Sequence, residues 1–189
     1  MENITFRPAM PSDVETLYRV KVAAFAEDFE RFKYAEANEI FKEDVEDVKS
    51  ENPKSYMFSK DWHKQFATGD DNALVIECDA EIIGSIIVLP AKTLGQYFEQ
   101  LFQDEYPGYD FSRHDTNILM CVYVLPEYKN KGIGEAAMAY IEQLHPAEKW
   151  LLSTPNVSVK NKHFYEKCGY KANGTSGPGD AFQIYIKEA

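Results

Sequence analysis

Apolar residues recur at Val14, Leu17, Tyr18, Val20, Val22 and Phe25, a spacing that predicts an amphipathic helix over residues 13–28. Ahead of it ITFRPAM alternates in character and reads as a strand, and Pro11, Ser12 and Asp13 mark the helix start, with Ser12 or Asp13 as its cap. Residues 29–69 are charge-rich: EANEIFKEDVEDVKS predicts an exposed helix broken by Pro53, and SKDWHKQFATG a short helix stopped by Gly69. The apolar runs NALVIECD and EIIGSIIVLP flank Asp79 and Ala80, the pattern of an antiparallel hairpin. Residues 91–115 then interrupt the strands. AKTLGQYFEQLF has helical spacing at Leu94, Phe98, Leu101 and Phe102, and QDEYPGYDFSRHD has turn chemistry.

A buried strand is expected at 117–125, followed by a helix with Ile133, Ala137, Ile141 and Leu144 on one face and Pro146 beyond its end. KWLLSTP, residues 149–155, reads as a further strand, and residues 159–168 as a helix ended by Gly169 at C′. YKANGT and DAFQIYIKE close the chain as a hairpin around GTSGPG. No internal repeat, low-complexity tract or linker interrupts this order, which is that of a mixed α/β domain with one crossover near its middle.

Composition narrows the class. A chain of 189 residues that is 44% hydrophobic and 14% aromatic can build a core, and its length suits one domain carrying an insertion. No stretch approaches the roughly 20 apolar residues of a membrane span, and MENITFRPAM lacks the basic and apolar regions of a secretion signal, so the expectation is a cytoplasmic protein without a membrane partner. Cys78, Cys121 and Cys168 are odd in number and far apart, which suits reduced thiols rather than disulfides, and they show no metal-ligand spacing. With 31 acidic against 20 basic residues and net charge −11, the chain is not expected to bind nucleic acid.

Against that acidic background YKNKGIG, residues 128–134, is an exception between strand and helix. A helix amino terminus offers unpaired N–H groups and partial positive charge, and Gly132 and Gly134 let an anion approach the backbone. Lys129 and Lys131 add full charges, so a diphosphate fits the turn. The run has neither the GKS or GKT ending of a nucleoside-triphosphate loop nor the third glycine of a dinucleotide fingerprint. Alone, it serves equally well as a turn with solvated lysines.

NKHFYEKCGY, residues 161–170, falls later on a helix that again follows a strand. Together the two stretches resemble the GNAT superfamily of N-acetyltransferases. That family carries an Arg/Gln-x-x-Gly-x-Gly/Ala turn for the coenzyme A diphosphate and a later helix ending Phe-Tyr-Glu-Lys-x-Gly-Phe/Tyr. Here the turn is Lys129, Asn130, Lys131, Gly132, Ile133, Gly134, and the helix end is Phe164 through Tyr170. The element order agrees over nearly the whole chain except residues 91–115.

The resemblance implies one GNAT-like domain over residues 1–189, of α/β (α+β) class. Its mixed, mostly antiparallel sheet of six to seven strands would be flanked by helices, with a splayed parallel pair, 117–125 and 149–155, near the middle. It implies acetyl-CoA as co-substrate and no metal. The backbone of Val122, Tyr123 and Val124 would pair with the pantetheine arm, and the turn from Asn130 to Glu135 would hold the diphosphate, with Lys129 in the usual Arg or Gln slot. Tyr165 corresponds to the tyrosine that protonates the departing thiolate. The family's asparagine slot falls on Ser158, while Asn161 lies one helical turn before Tyr165 and stands as the alternative pantetheine contact. Lys160, Lys162 and Lys167 extend the basic island, with Lys162 and His163 facing solvent.

The general base stays open, because Thr116 to Met120 contains no acid; Asp115, His114 and Glu77 are the nearest alternatives. A covalent route through Cys121 is disfavoured, since direct transfer needs no protein nucleophile. The acceptor is expected to be a small-molecule primary amine, held near residues 25–69 and 91–115. The aromatics Tyr97, Phe98, Phe102, Tyr106, Tyr109 and Phe111 are read first as core or homodimer contacts and second as an amine cage. Two alternatives accompany this reading: a non-catalytic acetyl-CoA sensor, and an acetyltransferase for proteins or peptides.

Overall fold

Strands form where the sequence alternates or runs apolar: β1 (Ile4–Pro8), β2 (Ala73–Cys78), β3 (Glu81–Leu89), β4 (Thr116–Val124), β5 (Lys149–Pro155), β6 (Lys171–Ser176) and β7 (Phe182–Glu188). The computed structural model describes residues 3–32, 59–93, 105–111 and 115–188. Its strands hydrogen-bond in the order β1-β2-β3-β4-β5-β7-β6. The β1–β2, β2–β3, β5–β7 and β6–β7 pairs are antiparallel, whereas β4 and β5 run parallel. Among the described residues the helices are α1 (Val14–Phe32), α2 (Lys60–Phe66), α3 (Ile133–Leu144) and α4 (Val159–Lys167). This is the expected mixed, mostly antiparallel sheet, with α3 as the crossover between its parallel strands. The helices expected over EANEIFKEDVEDVKS and AKTLGQYFEQLF fall largely outside the described residues, as do Tyr97, Phe98, Phe102 and His114.

Two compact units emerge, residues 1–87 with 121–140, and residues 88–120 with 141–189. In the first, α1 presents Leu17, Val20 and Ala24 to the interior, and β2 and β3 supply Leu74, Val75, Ile76, Ile83 and Ile86, all buried. Asp13 is not the simple cap expected of it. It stands at the third position of a 3-10 turn (Pro11–Asp13), where its carboxyl accepts from the Met10 N–H at 2.8 Å and from Arg7 Nη1 at 2.7 Å. Burial is the largest single effect and pushes the Asp13 carboxyl up, but the Arg7 hydrogen bonds and charge and the Met10 bond together outweigh it and hold the carboxyl below the usual carboxylate range. Arg7 Nε also binds Glu77 Oε1 at 2.8 Å, so one arginine fastens the helix start to β1 and β2. Ser59 caps α2 by accepting from the Trp62 N–H at 3.1 Å. Gly69 acts later than a helix stop: α2 ends at Phe66, and the Gly69 N–H donates to Ala9 O.

In the second unit Tyr106, Phe111, Ile118, Leu151 and Ile184 form a core flanked by Leu89, Tyr109, Met120 and Ile186. The aromatics of residues 106–111 therefore seat that segment on the sheet and, where described, do not form an open cage. Asn117 is buried with both amide atoms bonded: its Oδ1 accepts from Ala91 N–H at 2.9 Å and its Nδ2 donates to the His145 carbonyl at 2.8 Å. The last part of α3 departs from its expected face, for Leu144 is exposed while Met138 is buried beside Ala137 and Ile141.

Candidate functional site

Within the first unit, β4 leads through a 3-10 turn (Pro126–Tyr128) to the glycine turn and α3. Asn130 and Gly132 both take left-handed φ, 62° and 78°. The Gly132 position suits glycine because other residues pay a steric penalty at positive φ. Among the described residues, a Cβ built there would meet nothing within 4 Å. The helical ladder of α3 opens with Ala136 N–H donating to Gly132 O at 3.0 Å. The N–H groups of Ile133 and Gly134 precede that ladder and have no acceptor within the helix. Ile133 itself is buried and Gly134 and Glu135 are half-buried.

The two lysines differ. Lys129 Nζ donates to the Ala24 carbonyl of α1 at 2.8 Å, and Lys131 Nζ lies 4.9 Å from the centroid of the Tyr128 ring on an exposed residue. Lys129 thus also tethers the turn to α1, a role the sequence did not suggest.

On β4, Val122 and Val124 are half-buried, while Tyr123 is buried with its hydroxyl donating to Leu17 O at 3.4 Å. The Tyr123 carbonyl is turned to β3, so close to Gly84 that a Cβ on Gly84 would stand 2.2 Å from it. Cys121 is buried next to Lys21; burial raises its thiol pKa, and the lysine charge only partly offsets this. A thiol held protonated is a poor nucleophile, which agrees with the disfavoured acetyl-cysteine route.

Within the second unit, the parallel ladder pairs Thr116, Asn117 and Ile118 with Lys149, Trp150 and Leu151. Above Leu151, β5 continues to Pro155 with β7 as its antiparallel partner. Asn161 Nδ2 donates to Thr154 Oγ1 at 3.1 Å, fastening α4 to this upper part of β5. Ser158 is a buried residue at the amino-terminal cap of α4 and makes no side-chain capping bond. Tyr165 is 8% exposed and lies in a ring cluster, with centroids 5.1 Å from Phe164, 6.0 Å from Tyr185 and 6.2 Å from Tyr170. Tyr170, the end of the FYEKCGY stretch, donates its hydroxyl to Glu142 Oε1 at 2.9 Å, and Lys187 Nζ binds Glu142 Oε2 at 2.6 Å. The final aromatic of that stretch therefore docks α4 on α3. Lys162 departs from the solvent-facing expectation: it is half-buried and bonds Asn156 Oδ1, whereas His163 is exposed.

The alternative bases separate. Glu77 is held by Arg7 and Thr5, and the Asp115 carboxylate accepts from Thr116 Oγ1 at 2.8 Å. A further acid escaped sequence reasoning: Glu105 Oε1 accepts from Ser153 Oγ at 2.8 Å on the upper part of β5. No spacing signal relates those two residues. Among the described residues no group of His, Cys, Asp and Glu gathers to hold a metal ion.

The acetyltransferase (GNAT) domain family matches residues 69–172, which include β4, the glycine turn, α3, β5 and α4. The chain belongs to the GNAT family. Solved structures agree on the fold of this GNAT domain. The PaiA N-acetyltransferase of Thermoplasma acidophilum, in complex with coenzyme A, is similar at 18% identity and TM-score 0.69, with 99% of each chain covered. A putative GNAT-family acetyltransferase of Desulfovibrio desulfuricans is 17% identical at TM-score 0.58, covering 98% of this chain and 99% of its own. YncA of Salmonella typhimurium, a putative acetyltransferase with its cofactor acetyl-CoA, is 12% identical at TM-score 0.60, covering 98% of this chain and 94% of its own. A sequence comparison with curated proteins finds no match.

Proposed function

We propose that the protein is an N-acetyltransferase that moves the acetyl group of acetyl-CoA to a primary amine of a small molecule, acting as a single domain over residues 1–189. The observation that carries this reading is the glycine turn. Gly132 has positive φ with no described residue within 4 Å of a Cβ built there, and it precedes a helix whose ladder begins only at Ala136. This fits a diphosphate held by backbone N–H groups from Asn130 to Glu135, with Lys129 and Lys131 supplying charge. The coenzyme A and acetyl-CoA held by PaiA and YncA support the same donor here.

In this reading the pantetheine arm runs beside the β4 backbone at Val122 and Val124. Tyr123 anchors the strand, since its ring is buried and its carbonyl is turned to β3. On α4, Asn161, fixed to Thr154, is the proposed pantetheine contact of the second unit, with Ser158 as its alternative. The amine attacks the thioester carbonyl directly, and Tyr165 gives its phenolic proton to the departing thiolate.

The test is thiol release from acetyl-CoA across a panel of small amines, for wild type and Tyr165→Phe. Turnover by the wild type with kcat reduced about 100-fold in the variant, at similar coenzyme A affinity, is expected. Tight coenzyme A binding without turnover on any amine would instead identify a sensor. Turnover confined to peptides would move the acceptor to proteins.

A further inference from the structure

Residues 105–111 return to the sheet at a defined place. Tyr106 is 2% exposed and Phe111 4%, and both pack with Ile118, Leu151 and Ile184. Glu105 is thereby carried to β5, where its carboxylate accepts from Ser153 Oγ at 2.8 Å. Ser153 lies just beyond Leu151, the last β5 residue in the ladder with β4. Burial above all, and to a lesser degree the charges of Glu105 and Tyr165, keeps the Tyr106 phenol protonated. An acid, a serine and a phenol thus meet at Ser153 of β5.

The geometry points to Glu105 as the base that takes the proton from the acceptor's ammonium group, with Ser153 and the Tyr106 anchor as its positioning residues. This rests on the acetyltransferase reading above and supplies the acid that β4 lacks between Thr116 and Met120. The residue itself retains solvent exposure, while protein packed around the carboxyl raises its pKa; hydrogen bonds from Ser153 and Tyr106 partly oppose the rise. Such a carboxylate is a stronger base than one in water, which is the direction a proton acceptor needs.

The protons balance. An ammonium nitrogen gives one proton to Glu105 and becomes a neutral amine. Its lone pair then forms the N–C bond to the thioester carbonyl, and the C–S bond breaks as the tetrahedral intermediate collapses. The sulfur takes the Tyr165 proton, the resulting phenolate takes the remaining surplus proton from nitrogen, and Glu105 releases its proton to water. The products are the amide, coenzyme A thiol and one proton.

Glu105→Gln tests the assignment, because glutamine keeps a carbonyl to accept from Ser153 but is not a base. Coenzyme A affinity is expected to stay unchanged while kcat/KM for an aliphatic amine falls about 100-fold, a typical general-base contribution. Hydroxylamine, whose nitrogen is already neutral at pH 7, should lose far less, a contrast that a purely structural role does not produce. As an independent measurement, Ser153→Ala removes a bond that lowers the Glu105 pKa, so the acidic limb of the pH–rate profile should move to higher pH. Equal losses for both acceptors, or an unmoved limb in Ser153→Ala, would overturn the role of Glu105 while leaving acetyl transfer intact. A wild type that binds coenzyme A yet turns over neither acceptor would overturn both readings.

Discussion

Lys21 is 1% exposed, and its Nζ lies 3.2 Å from the centroid of the Trp62 ring. Its neighbour His63 donates Nδ1–H to the Ser59 carbonyl at 3.0 Å in the neutral ring, and its buried Nε2 has no hydrogen-bond partner among the described residues. Desolvation lowers the lysine pKa to about 8 and the histidine to about 4. Both native pKa values lie below their unfolded values, so in each window the unfolded chain binds more protons and stability rises with pH. For His63 the contribution is complete above pH 6.5 and is lost as the pH falls towards 4. For Lys21 the cost of a buried charge persists below pH 8 and is relieved between 8 and 10.5. Each shift corresponds to about 3 kcal/mol. Lys21→Met is therefore expected to raise the melting temperature at pH 7 and to lose the gain seen above pH 8. Melting below wild type at pH 7 would show that the contact with Trp62 outweighs desolvation. Helical spacing alone passes over this residue, because a lysine in the buried stripe has meaning only once Trp62 covers it.

At the scale of elements, the β2–β3 hairpin was readable from its two apolar runs and the Asp79-Ala80 turn, whose φ values of 49° and 68° are left-handed. The role of Gly84 within β3 was not readable. A Cβ there would stand 2.2 Å from the Tyr123 carbonyl and 2.9 Å from the Val124 side chain. The first obstacle is backbone, which cannot swing aside as a flexible side chain does. Gly84→Ala is expected to cost about 3 kcal/mol, measured by urea unfolding, and to weaken coenzyme A binding by displacing β4. A cost below about 1 kcal/mol would mean that β4 yields at little expense. Gly132 has the opposite surroundings, a constrained φ with no described residue near a Cβ built there.

For the whole molecule, net charge −11 favours the approach of cations over that of anionic acetyl-CoA. Salt screens such steering, since the Debye length falls from about 30 Å at 0.01 M to about 10 Å at 0.1 M. The KM of a cationic amine is therefore expected to rise with salt, while that of hydroxylamine, neutral at pH 7, stays nearly flat. Equal salt responses in steady-state kinetics would remove overall charge from acceptor selection.

Among the described residues, the order of strands and helices, the hairpins, the parallel crossover and the two family-like stretches were determined by the sequence itself. Each depends on spacing within one element, and a local period or turn residue is visible along a single chain. Tertiary structure decided which distant residues meet. It set Lys21 against Trp62, Gly84 under the Tyr123 carbonyl, and Glu105 on Ser153. It also turned the aromatics of residues 106–111 into an anchor and Tyr170 into a strut between helices. Those meetings follow from which element covers which, and burial then changes the chemistry of the groups involved; neither leaves a periodic trace in the sequence.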